Sequence, residues 1–361
     1  MTRPVLIAAG GTGGHVVPAL AVAAQLKSHD VPVIWVGTES GLEARMVPSH
    51  NIDIHWISVA GLRGKTFLKT LFGPYQLLRS CIQSLRLIRK LDPRSVLGMG
   101  GFVSGPVGIA ALLMRRPLVL HEQNAVAGMT NRYLSRFATR VYAAWPGVFK
   151  STNKMHVVGN PVHEQIATLS AQTKAIETNG DVPLRLLVVG GSRGAQILNE
   201  VVPEAVLLLE KSVEILHQAG KGNSEKVLER YANATSARVK VTDFIDDMAE
   251  AYQVADLVIC RSGAMTVSEL AALSLPSILV PFPYAVDDHQ TLNARYLSDS
   301  GAARLVPQDQ FNASSLADQL LKLNSNRAEL VAMSAAARAC YVPGAAQKLA
   351  DALLEVSKDG C

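Results

Sequence analysis

The sequence predicts an α/β protein built as two Rossmann-like, doubly wound parallel-sheet domains facing a cleft. Three observations lead there. Short apolar runs alternate with helical patterns, the rhythm of βαβ units with helices covering a parallel sheet. That rhythm restarts halfway, after the polar stretch from Ala171 to Pro183. The first strand of each half also runs into a glycine turn, Gly10-Gly11-Thr12-Gly13-Gly14 in one and Gly190-Gly191-Ser192-Arg193-Gly194-Ala195 in the other. Such repetition is expected of two domains with one architecture.

Taken in order, Val5–Ala9 reads as a strand, Pro18–Ser28 as a helix and Val31–Val36 as a second strand. Ser95–Gly98, Leu118–Leu120, Val141–Ala144 and His156–Val158 read as further short strands. In the second half Leu184–Val189, Val213–His217, Val239–Val241, Leu257–Cys260 and Ser277–Val280 read as strands, and Thr266–Leu273 and Gln290–Ser298 as helices. Ala345–Val356 has helical spacing. The domains are expected at residues 1–160 and 161–340, with 341–361 a C-terminal helix returning to the first domain.

At 361 residues, 48% hydrophobic and 18% charged, the chain has apolar material for two cores and no signature of disorder. Four scattered cysteines, Cys81, Cys260, Cys340 and Cys361, form no CxxC pair and no metal-ligand spacing, which predicts reduced thiols in a cytosolic protein. The apolar run after Met1 is too short for a signal-peptide core. Ser95 to Met114 carries no charge, yet its glycines and Pro106 suit a strand, a turn and a buried helix, so no transmembrane helix is expected.

The net charge of +5 is unevenly placed. Between Asp53 and Asp92 there is no acidic residue, while Arg63, Lys65, Lys69, Arg79, Arg86, Arg89 and Lys90 interleave with Phe67, Leu68, Leu71, Phe72, Tyr75, Leu77 and Leu78. From Leu78 to Lys90, Leu78, Ile82, Leu85 and Ile88 share one helical face and Arg79, Arg86 and Lys90 another. A soluble helix with a solvated basic side accounts for that helix as well as a membrane-surface helix does. The apolar-basic segment Phe67 to Phe72 favours an anionic membrane surface, where each basic residue contributes about 1 kcal/mol. The basic residues lack a nucleic-acid recognition motif, so nucleic acid is not an expected partner.

A strand that ends in glycines and opens a helix aims backbone N–H groups and a positive dipole end at an anion. Gly10–Gly14 fails the dinucleotide fingerprint, because the third glycine position is Val16, and the full P-loop motif is absent. Glu39 follows the second strand, where a ribose-binding acid would sit. With Gly100-Gly101-Phe102-Val103-Ser104-Gly105 there are three glycine turns at strand ends, which implies a place for diphosphates. Arg261 to Glu269 reads as a fourth strand-end turn opening a helix, with Glu269 one turn in, placed either to take a ribose diol or to complement the helix dipole. Asp246-Asp247 and Asp287-Asp288 are adjacent pairs and no Asp-x-Asp occurs, so no metal site is expected and a leaving group would depend on dipoles, backbone donors and basic side chains. No cofactor is expected.

Nine segments carry a family resemblance across nearly the whole chain: GGTGGHVVPA (10–19), GTESGLE (37–43), GGFVSGP (100–106), HEQNAVAG (121–128), GNPV (159–162), GGSRGA (190–195), FIDDM (244–248), CRSGAMTVSE (260–269) and PYAVDDHQTLNA (283–294). They resemble the bacterial family that adds N-acetylglucosamine to undecaprenyl-pyrophosphoryl-N-acetylmuramoyl pentapeptide in peptidoglycan synthesis. The resemblance implies a GT-B fold, UDP-N-acetylglucosamine as donor, inversion to a β-1,4 linkage at the acceptor C4 hydroxyl, and a peripheral position on the cytoplasmic face of the inner membrane. The first domain would then take the lipid-linked acceptor and meet the membrane through Arg63, Lys65, Phe67, Leu68, Lys69, Leu71, Phe72 and Arg79. The second would bind the UDP-sugar.

Carried over by position, Thr12, Gly13 and Gly14 would line the donor and acceptor diphosphate side with Asn124 nearby, all four among the residues that bind UDP-N-acetylglucosamine. Ser192 would contact donor phosphates, and Ile245 would meet uracil through its backbone. Ala264, Met265, Thr266, Val267 and Ser268 would form the diphosphate turn, Glu269 would take the ribose hydroxyls and Gln290 the sugar. Family members often carry Arg after the Asn-Pro-Val motif; here it is His163. Either His163 is protonated beside the phosphates, or Arg193 or Arg261 supplies the charge. His15 is the leading candidate for the base that takes the acceptor proton, against a turn-shaping role, and Glu122 is the second. Two other readings share the architecture: a UDP-N-acetylglucosamine 2-epimerase and a non-catalytic nucleotide-sugar sensor.

Overall fold

The computed structural model describes residues 3–59, 67–150, 154–172, 176–178, 182–191 and 194–357, with the side chains of 67–74 outside that description. The chain divides into two units, Met1–His163 with Val342–Cys361, and Glu164–Tyr341.

Unit 1 alternates strand and helix: β1 (Val5–Ala8), α1 (Gly13–Ser28), β2 (Val33–Gly37), α2 (Glu43–Ser49), β3 (Asp53–Trp56), α3 (Phe67–Leu91), β4 (Ser95–Gly98), α4 (Gly101–Leu113), β5 (Leu118–Glu122), α5 (Met129–Leu134), β6 (Arg140–Ala143) and β7 (Met155–Val157). The described strands form one parallel sheet in the order β3-β2-β1-β4-β5-β6-β7. β1, β4 and β5 are buried at every position, as strands covered on both faces must be.

One face of this sheet packs Val5, Ile7 and Leu97 against Val16, Leu20, Ala23 and Leu26 of α1. The other packs Leu6, Val96 and Leu120 against Ile88, Val103, Val107 and Ala111. Unit 1 is completed from the far end of the chain. The helix Ala345–Glu355, which becomes α14 below, buries Leu349, Ala350 and Leu353 beside α1, and Ser95 Oγ donates to the Leu353 carbonyl at 2.9 Å.

Unit 2 comprises α6 (Glu164–Leu169), β8 (Leu184–Val189), α7 (Gln196–Leu207), β9 (Val213–Gln218), α8 (Ser224–Arg230), β10 (Ala237–Thr242), α9 (Met248–Val254), β11 (Leu257–Cys260), α10 (Ala264–Ala272), β12 (Ser277–Leu279), α11 (His289–Ser298), β13 (Ala303–Leu305), α12 (Ala313–Ser325) and α13 (Arg327–Cys340), before α14 (Ala345–Glu355). Its described strands run parallel in the order β10-β9-β8-β11-β12-β13. Relabelled from its own first strand, that order is 3-2-1-4-5-6, and the first six strands of unit 1 repeat it. In both units the winding direction reverses beside the first strand. The paired β-α repetition in the sequence has this topological meaning.

Two expectations shift. The first helix begins at Gly13, five residues before Pro18, because the glycine turn itself supplies its first turn. The face of α3 is also turned differently. Ser80, Ser84 and Ile88 are buried at i, i+4 spacing, and the two hydroxyls are satisfied by the Leu77 and Ser80 carbonyls. Leu78 and Ile82 instead stand 60% and 40% exposed. The apolar stripe read from the sequence therefore enters the core only at its C-terminal end.

Candidate active site

Parallel strands all finish on one edge of a sheet, and ligands of such sheets lie beyond that edge at the point where the winding reverses. In unit 1 the two glycine turns, after β1 and after β4, flank this point. In unit 2 the turns after β8 and after β11 do the same.

The unit 1 turns are fitted to one another. Gly100 and Gly101 hold φ of 88° and 76°, a region closed to most side chains. A Cβ on Gly101 would sit 2.8 Å from the Gly10 carbonyl oxygen, and one on Gly100 would sit 3.2 Å from the His15 ring. Ser104 Oγ reaches both the Ala8 carbonyl (2.8 Å) and the Gly100 carbonyl (2.7 Å), tying the end of β1 to that of β4. His15 therefore lies over the second glycine turn, with Nδ1 3.2 Å from Thr12 Oγ1. Thr12 is exposed; Gly13, Gly14 and His15 are half-buried.

The Gly11 N–H differs from the expectation that the turn's amides all face an incoming anion. It donates inward, to Glu43 Oε2 at 2.9 Å. Glu39, the acid singled out after β2, is exposed, whereas Glu43 at the start of α2 is fully buried. The acid that matters to this turn lay four residues further on. Its sequence signal was the small-residue frame of GTESGLE.

Glu122 ends β5 with 3% exposure. One oxygen accepts from Asn124 N (3.1 Å) and Nδ2 (3.2 Å), the other from Gly128 N (3.0 Å) and Asn131 Nδ2 (3.0 Å). Four donors on a buried carboxylate brace the 123–131 loop and place Asn124; they suit that task better than proton acceptance. His121, next to it, is pushed down to about 4 by burial, with its Nε2 2.9 Å from the Gly159 carbonyl. His163 is exposed and is the last residue of unit 1 before α6.

In unit 2, α10 opens at Ala264 from an extended Gly263, presenting its first-turn amides beyond β11. Met265, Val267 and Ser268 are buried and Thr266 is half-buried; Ser268 Oγ donates to the Ala264 carbonyl. Val267 N–H already donates to the Gly263 carbonyl at 2.9 Å, so the open first-turn amides are those of Ala264, Met265 and Thr266. Gln290 is fixed twice: its Oε1 accepts from Phe282 N (2.9 Å), and its carbonyl accepts from Ser262 Oγ (2.8 Å). The amide nitrogen is the end left to donate.

Arg261 spends its guanidinium on the Val280 and Pro281 carbonyls and on Gln308 Oε1, and lies over the Phe282 ring. It pins the loop after β12, through neutral acceptors that leave its charge in place. Ser192 and Arg193 lie outside the described residues. Ile245 is buried between β10 and α9, where Asp247 caps the helix by accepting Glu250 N–H.

Glu269 is half-exposed as a residue, yet its carboxyl is enclosed by protein. Burial raises it to about 7, opposed by the Tyr252 hydroxyl, which donates to Oε2 at 3.1 Å. Sequence reasoning missed Tyr252. The same enclosure pushes the Cys260 thiol up to about 12, so it stays protonated. Among the described residues, no group of three or more His, Cys, Asp or Glu is placed to hold a metal ion.

Two doubly wound units with glycine turns at matching switch points are the elements of the GT-B fold, and two family models mark this chain as a glycosyltransferase. The glycosyltransferase family 28 N-terminal domain matches residues 5–143, and the family 28 C-terminal domain matches residues 185–353. A relative from Chromohalobacter salexigens, named UDP-N-acetylglucosamine--N-acetylmuramyl-(pentapeptide) pyrophosphoryl-undecaprenol N-acetylglucosamine transferase, is 51% identical over 98% of this chain and 97% of its own. One of the same name from Shewanella amazonensis is 49% identical over 99% and 98%. The crystal structure of MurG from Acinetobacter baumannii superposes with a TM-score of 0.84 at 38% identity, covering 98% of this chain and 99% of that one. This chain belongs to that transferase family, within glycosyltransferase family 28.

Replacing Tyr252 with Phe removes the one hydrogen bond that lowers the Glu269 pKa. The carboxyl should then titrate above about 7, read by NMR as an upward shift in the Glu269 side-chain carboxyl titration. An unmoved or lowered titration would show that Tyr252 does not govern it.

Proposed function

We propose that this chain transfers N-acetylglucosamine from UDP-N-acetylglucosamine to the C4 hydroxyl of undecaprenyl-pyrophosphoryl-N-acetylmuramoyl pentapeptide, inverting the sugar to a β linkage without a metal ion. The observation that carries the reading is near-full-length identity of about half, across both units, to relatives named for this transfer. An epimerase or a sensor would share the fold, but the relatives' names are those of transferases.

The residues divide the work by unit. In unit 2 the first-turn amides of α10 at Ala264, Met265 and Thr266, with Ser192, take the donor diphosphate. Glu269 accepts the ribose hydroxyls, the backbone at Ile245 meets the uracil, and Gln290 donates to the sugar. In unit 1 Thr12, Gly13 and Gly14, with Asn124 nearby, line the donor and acceptor diphosphate side and contact UDP-N-acetylglucosamine, and His15 takes the acceptor proton. In the tautomer whose Nδ1–H donates to Thr12 Oγ1, the basic lone pair is on Nε2. His163 keeps a supporting place beside phosphate in this reading.

We read the outer face of α3 as the membrane contact, with Arg63, Lys65, Phe67, Leu68, Lys69, Leu71, Phe72 and Arg79. Of these Arg79 is exposed; Arg63 and Lys65, and the side chains from Phe67 to Phe72, lie outside the described residues. A helix that buries Ser80 and Ser84 while exposing Tyr75, Leu77, Leu78 and Ile82 supports the reading, because that face is inverted for water. No described helix is long and apolar enough to cross a membrane. The placement is peripheral, on the cytoplasmic leaflet of the inner membrane.

A transfer assay with labelled UDP-N-acetylglucosamine and a lipid-linked muramoyl acceptor, in EDTA, tests the function; wild type should form the disaccharide. His15→Ala should lower kcat about 10²–10⁴-fold, and near-full turnover in that variant would remove the base assignment. Glu269 accepts hydrogen bonds best when ionised, so the affinity for UDP-N-acetylglucosamine, whose diphosphate diester does not titrate in this range, should weaken as pH falls below about 7. In calorimetry that pH dependence should vanish in Glu269→Gln; if it persists there, another group is responsible. Reversing Lys65 and Lys69 and replacing Leu78 and Ile82 with Ser should weaken binding to phosphatidylglycerol vesicles about tenfold or more, and equal binding would return α3 to a solvated helix.

A further inference from the structure

Glu43 is the buried acid that no role above uses. Its side chain is fully enclosed, and its partners are Gly11 N–H (2.9 Å) on one oxygen and Thr38 N–H (2.9 Å) and Oγ1–H (2.8 Å) on the other. No Lys or Arg is among these partners; two amides and a hydroxyl hold the carboxylate. Three glycines make room for it, since a Cβ on Gly10, Gly37 or Gly41 would collide with the Glu43 side chain. Enclosing a carboxylate is costly, and it is offset here by charge-assisted hydrogen bonds to fixed donors.

The consequence falls on the first glycine turn. Gly11 has φ of 94° with open space where a Cβ would stand, so its outer side is bare and its N–H faces inward. From above, the turn meets Gly101, packed on the Gly10 carbonyl. From below, Glu43 grips the next amide. Thr12 and His15 follow within four residues, joined at 3.2 Å.

We propose that Glu43 is the positioning residue of the first glycine turn: its buried carboxylate fixes the Gly11 amide and thereby sets where Thr12 and His15 stand for transfer. The consequence for turnover rests on the functional reading above; the grip on Gly11 does not. The carboxylate is required because one oxygen must serve Thr38 and the other Gly11. A glutamine keeps the shape but turns an NH₂ towards one of these donors, leaving a buried N–H without an acceptor.

The test compares wild type with Glu43→Gln and Glu43→Asp by thermal unfolding, by amide exchange of the peptide spanning residues 10–16, and by steady-state transfer. In folded Glu43→Gln, exchange at Gly11 should quicken tenfold or more while β1 and β4 keep their protection. kcat should fall by an amount on the order of 10²-fold, the effect of misplacing a reacting group by about 1 Å. The KM for UDP-N-acetylglucosamine should change far less than kcat, since the diphosphate turn and Glu269 of unit 2 are untouched, a split that general destabilisation would not give. Should the glutamine variant fail to fold, Glu43→Asp, which keeps the charge on a shorter reach, is judged by the same measures. Unchanged Gly11 exchange, or kcat within twofold of wild type, overturns the proposal. Absence of transfer by wild type would instead sink the functional reading, and Gly11 exchange would still decide the grip.

Discussion

Every strand of a parallel sheet ends on the same edge, and the chain must leave that edge at once to begin a helix. In each unit this demand is sharpest at the two strands beside the winding reversal, β1 with β4 and β8 with β11. There the backbone enters conformations with positive φ at Gly11, Gly100, Gly101, Gly191 and Gly194. Helix starts then converge on one spot with their unsatisfied amides. The chemical capacity of the molecule follows from that geometric demand, and the side chains named as ligands or bases refine it.

Polar groups at these edges are held in place by other polar groups beneath them. Glu122 gathers the 123–131 loop through four donors, Arg261 closes the loop after β12 on two carbonyls and Gln308, and Tyr252 reaches Glu269. Glu122 and Arg261 thereby hold loops in place, and Tyr252 holds a side chain on the first turns of α10. A substrate would meet loops already ordered, so less binding energy would go into arranging them.

Much of this was legible in the sequence. Apolar runs such as Leu257–Cys260, and Leu184–Val189 broken only by Arg185, marked their strands, because both faces of a parallel sheet are covered. The glycine turns marked the strand ends, and the restart after Pro183 marked the second sheet. Side-chain direction was less legible. Periodicity offered the stripe Leu78, Ile82, Leu85 and Ile88 on α3, and nothing in it revealed that Ser80 and Ser84 face inward. Likewise Glu39 and Glu43 are both acids near the end of β2, and only the fold separates the exposed one from the enclosed one. The loop-pinning place of Arg261 was hidden because its partners, Val280, Pro281 and Gln308, are distant in sequence.

The return of α14 to unit 1 bears on biogenesis. Leu349, Leu353 and Val356 fill the same core layer as Val5 and Leu20, so unit 1 lacks part of its interior until these residues, made after all of unit 2, leave the ribosome. Unit 2, contiguous from Glu164 to Tyr341, is synthesised in full before that happens. During vectorial synthesis the sheet of unit 1 must wait with an apolar flank uncovered until α14 arrives.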